Sequence, residues 1–126
     1  ARSMQGLPLF VLGDKQTSRD FNFVQNTANG TLKAAESSMS KGKIYNIGSG
    51  HEVTILKLAE LINAITQNTA GIEFKPSRLW DTIKNRCADI SLTKEELGYE
   101  PVVDFEAQLR RTHDWLLTQK HHFLPA

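Results

Sequence analysis

IYNIGSGHEVTILKLAELI, residues 44–62, changes its period in the middle. The first four residues are short, apolar and β-prone. Gly48-Ser49-Gly50 then supplies a turn, and from Thr54 the apolar residues recur at helical spacing: Ile55, Leu58 and Ile62, with Leu61 widening the stripe and Ile65 extending it. Thr54 has the chemistry of an N-cap. The stretch predicts a strand at 44–47, a glycine turn, and a helix over 54–68 that Gly71 stops. A strand running through a turn into an amphipathic helix places the chain in the mixed α and β class. The lone Gly-Ser-Gly carries little phosphate specificity. Neither GxGxxG nor GxxxxGK[ST] occurs anywhere.

Toward the N-terminus, residues 26–37 predict a helix capped by Asn26 or Thr27. Ala28, Leu32 and Ala35 form its narrow small-residue stripe, and Gly30 interrupts it at a cost of about 1 kcal/mol relative to alanine. Residues 37–43 (SSMSKGK) have linker chemistry. Residues 20–24 (DFNFV) alternate as a strand would. Residues 7–12 (LPLFVL) predict a strand that ends at Gly13-Asp14, with Pro8 at its start or on an edge. Toward the C-terminus, 72–74 predicts a short strand closed by Pro76. Residues 91–97 predict a helix capped by Ser91 and stopped by Gly98, with Pro101 beyond. Residues 104–120 predict a final helix capped by Asp104, on which Phe105, Leu109, Thr112 and Leu116 share a face bordered by Trp115.

The 126 residues suit one domain, 1–126, with a modest core. The balance of 40% hydrophobic and 23% charged residues is that of a folded chain. A net charge of +1 gives no field for nucleic acid or an anionic membrane surface. No apolar run is long enough to span a bilayer, and ARSMQG at the N-terminus lacks the apolar centre of a signal peptide. The single cysteine, Cys87, excludes a disulfide within the chain and fits a reducing compartment. The expected location is cytoplasmic.

Charge and aromatic character concentrate in residues 76–91, PSRLWDTIKNRCADIS. Arg78, Asp81, Lys84, Arg86 and Asp89 are interleaved there with Trp80, Ile83, Cys87 and Ile90. Such a loop between ordered elements is either a ligand-facing surface for an anion or a solvated stretch of salt bridges, and chemistry alone favours the second. Trp80 reads equally as core or as stacking platform. Cys87 as a nucleophile needs a histidine base, and His51 and His113 are distant in sequence. His121 and His122 lack zinc spacing with Cys87. Asp81 and Asp89 read as salt-bridge partners or caps, and Ser49 has no evident base.

Taken in order, LPLFVLGD, SRDFNFV, IYNIGSG with VTILKLAELI, RLWDTIKNRCADIS, ELGYEP and RRTHDWL resemble the C-terminal part of the extended short-chain dehydrogenase/reductases. Within these the resemblance is to the nucleotide-sugar epimerases and dehydratases, of the UDP-glucose 4-epimerase-like kind. It covers nearly the whole chain.

The resemblance implies the C-terminal lobe of such an enzyme, with a remnant strand and helix of a Rossmann sheet but no complete Rossmann domain. It implies that Arg19, in the R-D-F/Y piece, contacts a nucleotide diphosphate. It likewise implies that Arg78 and Asp81, in the R-x-x-D piece, bind diphosphate and ribose. A guanidinium fork suits phosphate oxygens, and a carboxylate accepts from ribose hydroxyls. The family's NAD-binding glycine turn and catalytic tyrosine–lysine pair have no counterpart here. Tyr45 and Tyr99 are followed four residues on by Ser49 and Val103, not lysine. The chain by itself is therefore expected to hold no cofactor and to perform no sugar chemistry.

The sequence departs from the family at Lys15, at Gln16 and Ser18 before Arg19, and at Gln25-Asn26. It departs again at Trp80, an indole with the bulk to fill ligand space where the family keeps a small residue. Three expectations follow. The chain is a nucleotide-sugar-binding lobe, a stand-alone oligomerisation domain that has lost its ligand, or the partner of a separate Rossmann-domain chain. Apolar faces that would meet a Rossmann sheet lead us to expect a homodimer or higher homo-oligomer.

Overall fold

The computed structural model describes residues 1–119. In chain order its elements are β1 (Leu9–Leu12), β2 (Ser18–Asp20), α1 (Val24–Glu36), β3 (Glu52–Thr54), α2 (Ile55–Thr66), β4 (Ile72–Lys75), β5 (Asn85–Arg86), α3 (Ser91–Leu97) and α4 (Phe105–Thr118). Short 3-10 turns occupy Ser3–Gln5 and Ser38–Ser40. The mixed α and β class expected from the sequence is what forms. The chain gathers into two compact units, one from residues 1–17, 54–84 and 104 onward, the other from 18–53 and 85–103.

In the first unit β1 and β4 pair in parallel, Leu9 opposite Ile72 through Leu12 opposite Lys75. The α2 helix lies between them in sequence, as a parallel connection requires. Val11 is wholly buried and Ala59 of α2 nearly so. The predicted stripes of α2 and α4 meet: Ile62 and Ile65 with Leu109 and Leu116 line one apolar cleft. Thr54 caps α2 as predicted, its hydroxyl accepting from the Lys57 amide at 3.1 Å. Asp104 caps α4 in the same way through the Ala107 amide at 3.0 Å. Lys120, the last residue of the predicted helix, lies outside the described residues.

The stop of α2 comes earlier than predicted. Gln67, not Gly71, takes the left-handed conformation at φ 54° and returns its amide to the carbonyls of Asn63 and Ala64. Asn63 holds this end in place by donating to the Gly71 carbonyl and accepting from Asn68 at 2.9 Å.

In the second unit β2 is the middle strand of three, flanked by β3 and β5. Neither flank was visible in the sequence, because strands of two or three residues show no alternation. The predicted strand at 20–24 is displaced: β2 ends at Asp20, and helical geometry begins at Val24. The strand predicted at 44–47 does not form a ladder among the described residues. Its backbone is held by side chains instead, Thr93 Oγ1 donating to the Asn46 carbonyl at 2.6 Å and Tyr99 to the Gly48 carbonyl at 2.8 Å.

Asn26 is not the cap of α1. It lies inside the helix, 2% exposed, and its amide both donates to and accepts from the Val102 backbone at 2.9 and 3.0 Å. A polar residue at a helix start reads locally as a cap, and here a distant strand-like segment claims it. Gly30 has a packing reason, since a β-carbon there would lie 2.9 Å from the Ile47 side chain. Ser91 begins α3 rather than capping it. Its amide is taken by Asp89 Oδ1 at 3.0 Å, and Ile90 stands at the cap position. Gly98 closes α3 at φ 58°, as predicted.

Candidate functional site

Asp20 organises the second unit's loops, and the sequence did not single it out. Its Oδ1 accepts from the Ser49 amide at 2.9 Å and the Ser49 hydroxyl at 2.6 Å. Its Oδ2 accepts from the Gly50 amide at 3.0 Å and the Ala88 amide at 3.2 Å. Burial opposes the charge, but the Ser49 hydroxyl and the amides of Ser49, Gly50 and Ala88 outweigh it and hold the carboxyl below its usual range. One side chain thus ties the end of β2 to the Gly48-Ser49-Gly50 turn and to the segment that follows β5.

This arrangement also answers whether Gly-Ser-Gly is a phosphate cradle. Two of its amides already point at a protein carboxylate, so they are not available to a dinucleotide pyrophosphate. The described residues therefore do not fit an NAD phosphate site at this turn.

The register of β2 on β5 sets Ser18 opposite Asn85 and Arg19 opposite Arg86. Registered residues on neighbouring strands start from the same face of the sheet, so Arg19 and Arg86 share a face. Arg19 is half-buried, and one of its nitrogens donates to the Ser18 carbonyl at 2.7 Å. Arg86 is exposed, and no described acidic group ion-pairs with it. Arg86 was visible in the sequence only as one charge among five. Its partnership with Arg19 depends on a strand register that no local pattern reveals.

Arg78 and Asp81 belong to the first unit, Arg19 to the second. Arg78 and Asp81 are joined by a turn in which the Asp81 amide donates to the Arg78 carbonyl at 3.0 Å. Asp81 lines an open groove of about 650 Å³, with Gly13, Asp14, Thr17, Ser77, Thr82 and Lys84 among its walls. Asp14 shapes one side: it accepts from the amides of Gln16 and Thr17 at 3.0 and 2.9 Å and pairs with Lys84 at 3.2 Å. Lys84 first, then the Gln16 amide and the Thr17 hydroxyl, hold the Asp14 carboxyl below its usual range. Trp80 does not fill this groove. It is 77% exposed and absent from the lining, so the indole is not core.

The other groups weighed as chemistry have structural employment or no partner. Burial raises the Cys87 thiol, helped by the charges of Asp20 and Glu52, which leaves it a poor nucleophile. Tyr45 donates to Glu96 at 2.5 Å, and that bond, then burial, pushes its phenol up to about 12. Lys43 pairs with the same Glu96 at 2.7 Å. Burial likewise raises Tyr99. Asp89 serves the start of α3, and Ser49 is committed to Asp20. His113 lies beside the apolar cleft of the first unit. Among the described residues no group of three His, Cys, Asp or Glu could hold a metal. His121 and His122 fall outside those residues. No described helix is long and apolar enough to cross a membrane.

Comparison with known proteins places this geometry in a lineage. Residues 1–112 match the profile of the GDP-mannose 4,6 dehydratase family. UDP-glucuronic acid decarboxylase 1 of Danio rerio is 32% identical over 96% of this chain, which spans 28% of that protein. Among solved structures, the epimerase Mth375 of Methanothermobacter thermautotrophicus superposes with a TM-score of 0.90 at 33% identity, over 95% of this chain and 35% of that one. UDP-glucuronic acid 4-epimerase from Bacillus cereus, in complex with UDP-glucuronic acid and NAD, gives a TM-score of 0.83 at 27% identity, over 94% of this chain and 38% of that one. The chain thus spans well under half the length of these relatives.

Proposed function

The chain belongs to the GDP-mannose 4,6 dehydratase family, among the extended short-chain dehydrogenase/reductases, and on that premise we propose that it is the nucleotide-sugar-binding lobe of an epimerase- or dehydratase-like protein. Arg19, Arg78 and Asp81 are the proposed contacts to nucleotide diphosphate and ribose, as the family resemblance implies. The observation that carries the reading is the match of residues 1–112 to the GDP-mannose 4,6 dehydratase family. Guanidinium forks such as those of Arg19 and Arg78 match the oxygens of a diphosphate bidentately. That Bacillus cereus relative is described with a UDP-sugar bound, which supports this class of ligand. Residues 26–47, with α1 and the extended segment after it, are on this reading the remnant of a Rossmann sheet. On this reading the NAD site and the reacting groups lie outside these residues, and no chemical step is assigned to them.

Calorimetric titration with UDP- and dTDP-sugars tests the proposal. Arg19→Ala is expected to weaken binding about 10- to 100-fold, as the loss of a charge-assisted hydrogen bond does. Arg19→Lys is expected to recover only part, because it keeps the charge and loses the fork. Absence of heat with every nucleotide sugar would sink the reading.

A second reading, a stand-alone oligomerisation domain, rests on apolar exposure within the second unit. Ile44 is 90% exposed, Val24 73% and Leu32 58%. Exposed side chains of this size, beside an extended segment without a ladder, favour cover by a second copy or by a separate Rossmann-domain chain. Sedimentation velocity at micromolar concentration is expected to give a dimer or larger species. A monomer mass would count against self-association.

A further inference from the structure

Leu79 and Trp80 are 97% and 77% exposed, side by side at the tip of a turn. The turn is closed by the Asp81 amide on the Arg78 carbonyl at 3.0 Å. The residues at its two feet, Ser77 and Asp81, both line the groove of the first unit, while Arg78, Leu79 and Trp80 do not. The tip therefore stands on the groove's rim, with its largest apolar side chain in solvent. A free indole next to the carboxylate proposed for ribose is positioned for the group that ribose carries. A nucleobase has a flat π-face, and aromatic side chains stack on such faces with little regard to base identity. Rotation about its two side-chain bonds is all that a rim tryptophan needs to close over a neighbouring ring.

We propose that Trp80 is the nucleobase-stacking residue of the groove, so that the ligand is a nucleotide bound through its base as well as its diphosphate. This rests on the nucleotide-sugar reading above and adds the base to it. Two titrants separate the parts, UDP and inorganic pyrophosphate, each measured with the wild-type chain, Trp80→Ala and Trp80→Phe.

The alanine variant is expected to bind UDP about tenfold more weakly, as the loss of one stacking contact does. The phenylalanine variant is expected to stay within about threefold of wild type, since it keeps a π-face. Pyrophosphate, which has no base, is expected to bind all three equally. If Trp80→Ala binds UDP as wild type does, the stacking role is wrong and the nucleotide-sugar reading stands. If the alanine variant loses pyrophosphate and UDP alike, the indole supports the turn and does not stack, which also overturns the proposal. If the wild-type chain binds neither titrant, the underlying reading falls and this one with it.

Discussion

Asp20→Ala is expected to destabilise the second unit by about 3 kcal/mol, because it removes the acceptor of three backbone amides and leaves the Ser49 hydroxyl only the His51 carbonyl at 3.1 Å. The donors are the Ser49 amide and hydroxyl and the amides of Gly50 and Ala88. Asp20→Asn is expected to be nearly as damaging. Each carboxylate oxygen faces two donors, so whichever position the asparagine NH2 occupies, donor meets donor. Chemical denaturation measures the loss, and amide exchange at Ser49, Gly50 and Ala88 locates it. An asparagine variant within about 0.5 kcal/mol of wild type would show that charge and acceptor count do not matter here.

The pH dependence has a definite sign. The folded pKa of Asp20 lies below its ordinary value, so the stability it supplies is present above the usual carboxylate range. That stability is lost as pH falls through the folded value. The gap between wild type and Asp20→Ala is therefore expected to narrow on acidification. Asp14, Asp89 and Glu96 are also held low. They contribute the same acid sensitivity to both proteins and cancel in the comparison.

Asp20 also marks the limit of reading the chain as a sequence. The helices were legible because 3.6-residue periodicity, a capping hydroxyl at Thr54 and a capping carboxylate at Asp104 are all local signals. Their arrangement in a mixed α and β class followed from the change of period after residue 50. What escaped was whatever depends on residues far apart in the chain. The donors to Asp20 come from 29 to 68 residues away. Asn26 answers Val102, 76 residues on. The two-residue β5 and the pairing of Arg86 with Arg19 exist only through a register. The segment at 44–47 failed in the opposite sense. Its composition favours a strand, but a strand also needs a neighbour, and the described residues do not provide one. The proposed ligand contacts Arg19, Arg78 and Asp81 came from resemblance; the register of Arg86 on Arg19 and the exposure of Trp80 were visible only in the structure.

Gly48→Ala is the other substitution expected to have a large effect, and its reason is space rather than backbone conformation. A β-carbon at residue 48 would lie 2.6 Å from Asp20 Oδ2 and 2.6 Å from the Ala88 β-carbon. Neither neighbour can give way freely. Moving Oδ2 breaks the bonds it accepts from Gly50 and Ala88, and moving Ala88 pulls the same amide away from the carboxylate. The Gly48 carbonyl is itself held by the buried Tyr99 hydroxyl at 2.8 Å, so the turn resists shifting as a body. Overpacking of this kind costs about 1–3 kcal/mol, and the weakened bonds to a charged acceptor add on the order of 1 kcal/mol. The double variant Gly48→Ala with Ala88→Gly separates the two clashes. It removes the contact with the Ala88 β-carbon and leaves the contact with Asp20, so partial recovery is expected. Full recovery would assign the whole penalty to Ala88. No recovery would assign it to the carboxylate, making Gly48 the residue that leaves room for Asp20 to hold the second unit's loops together.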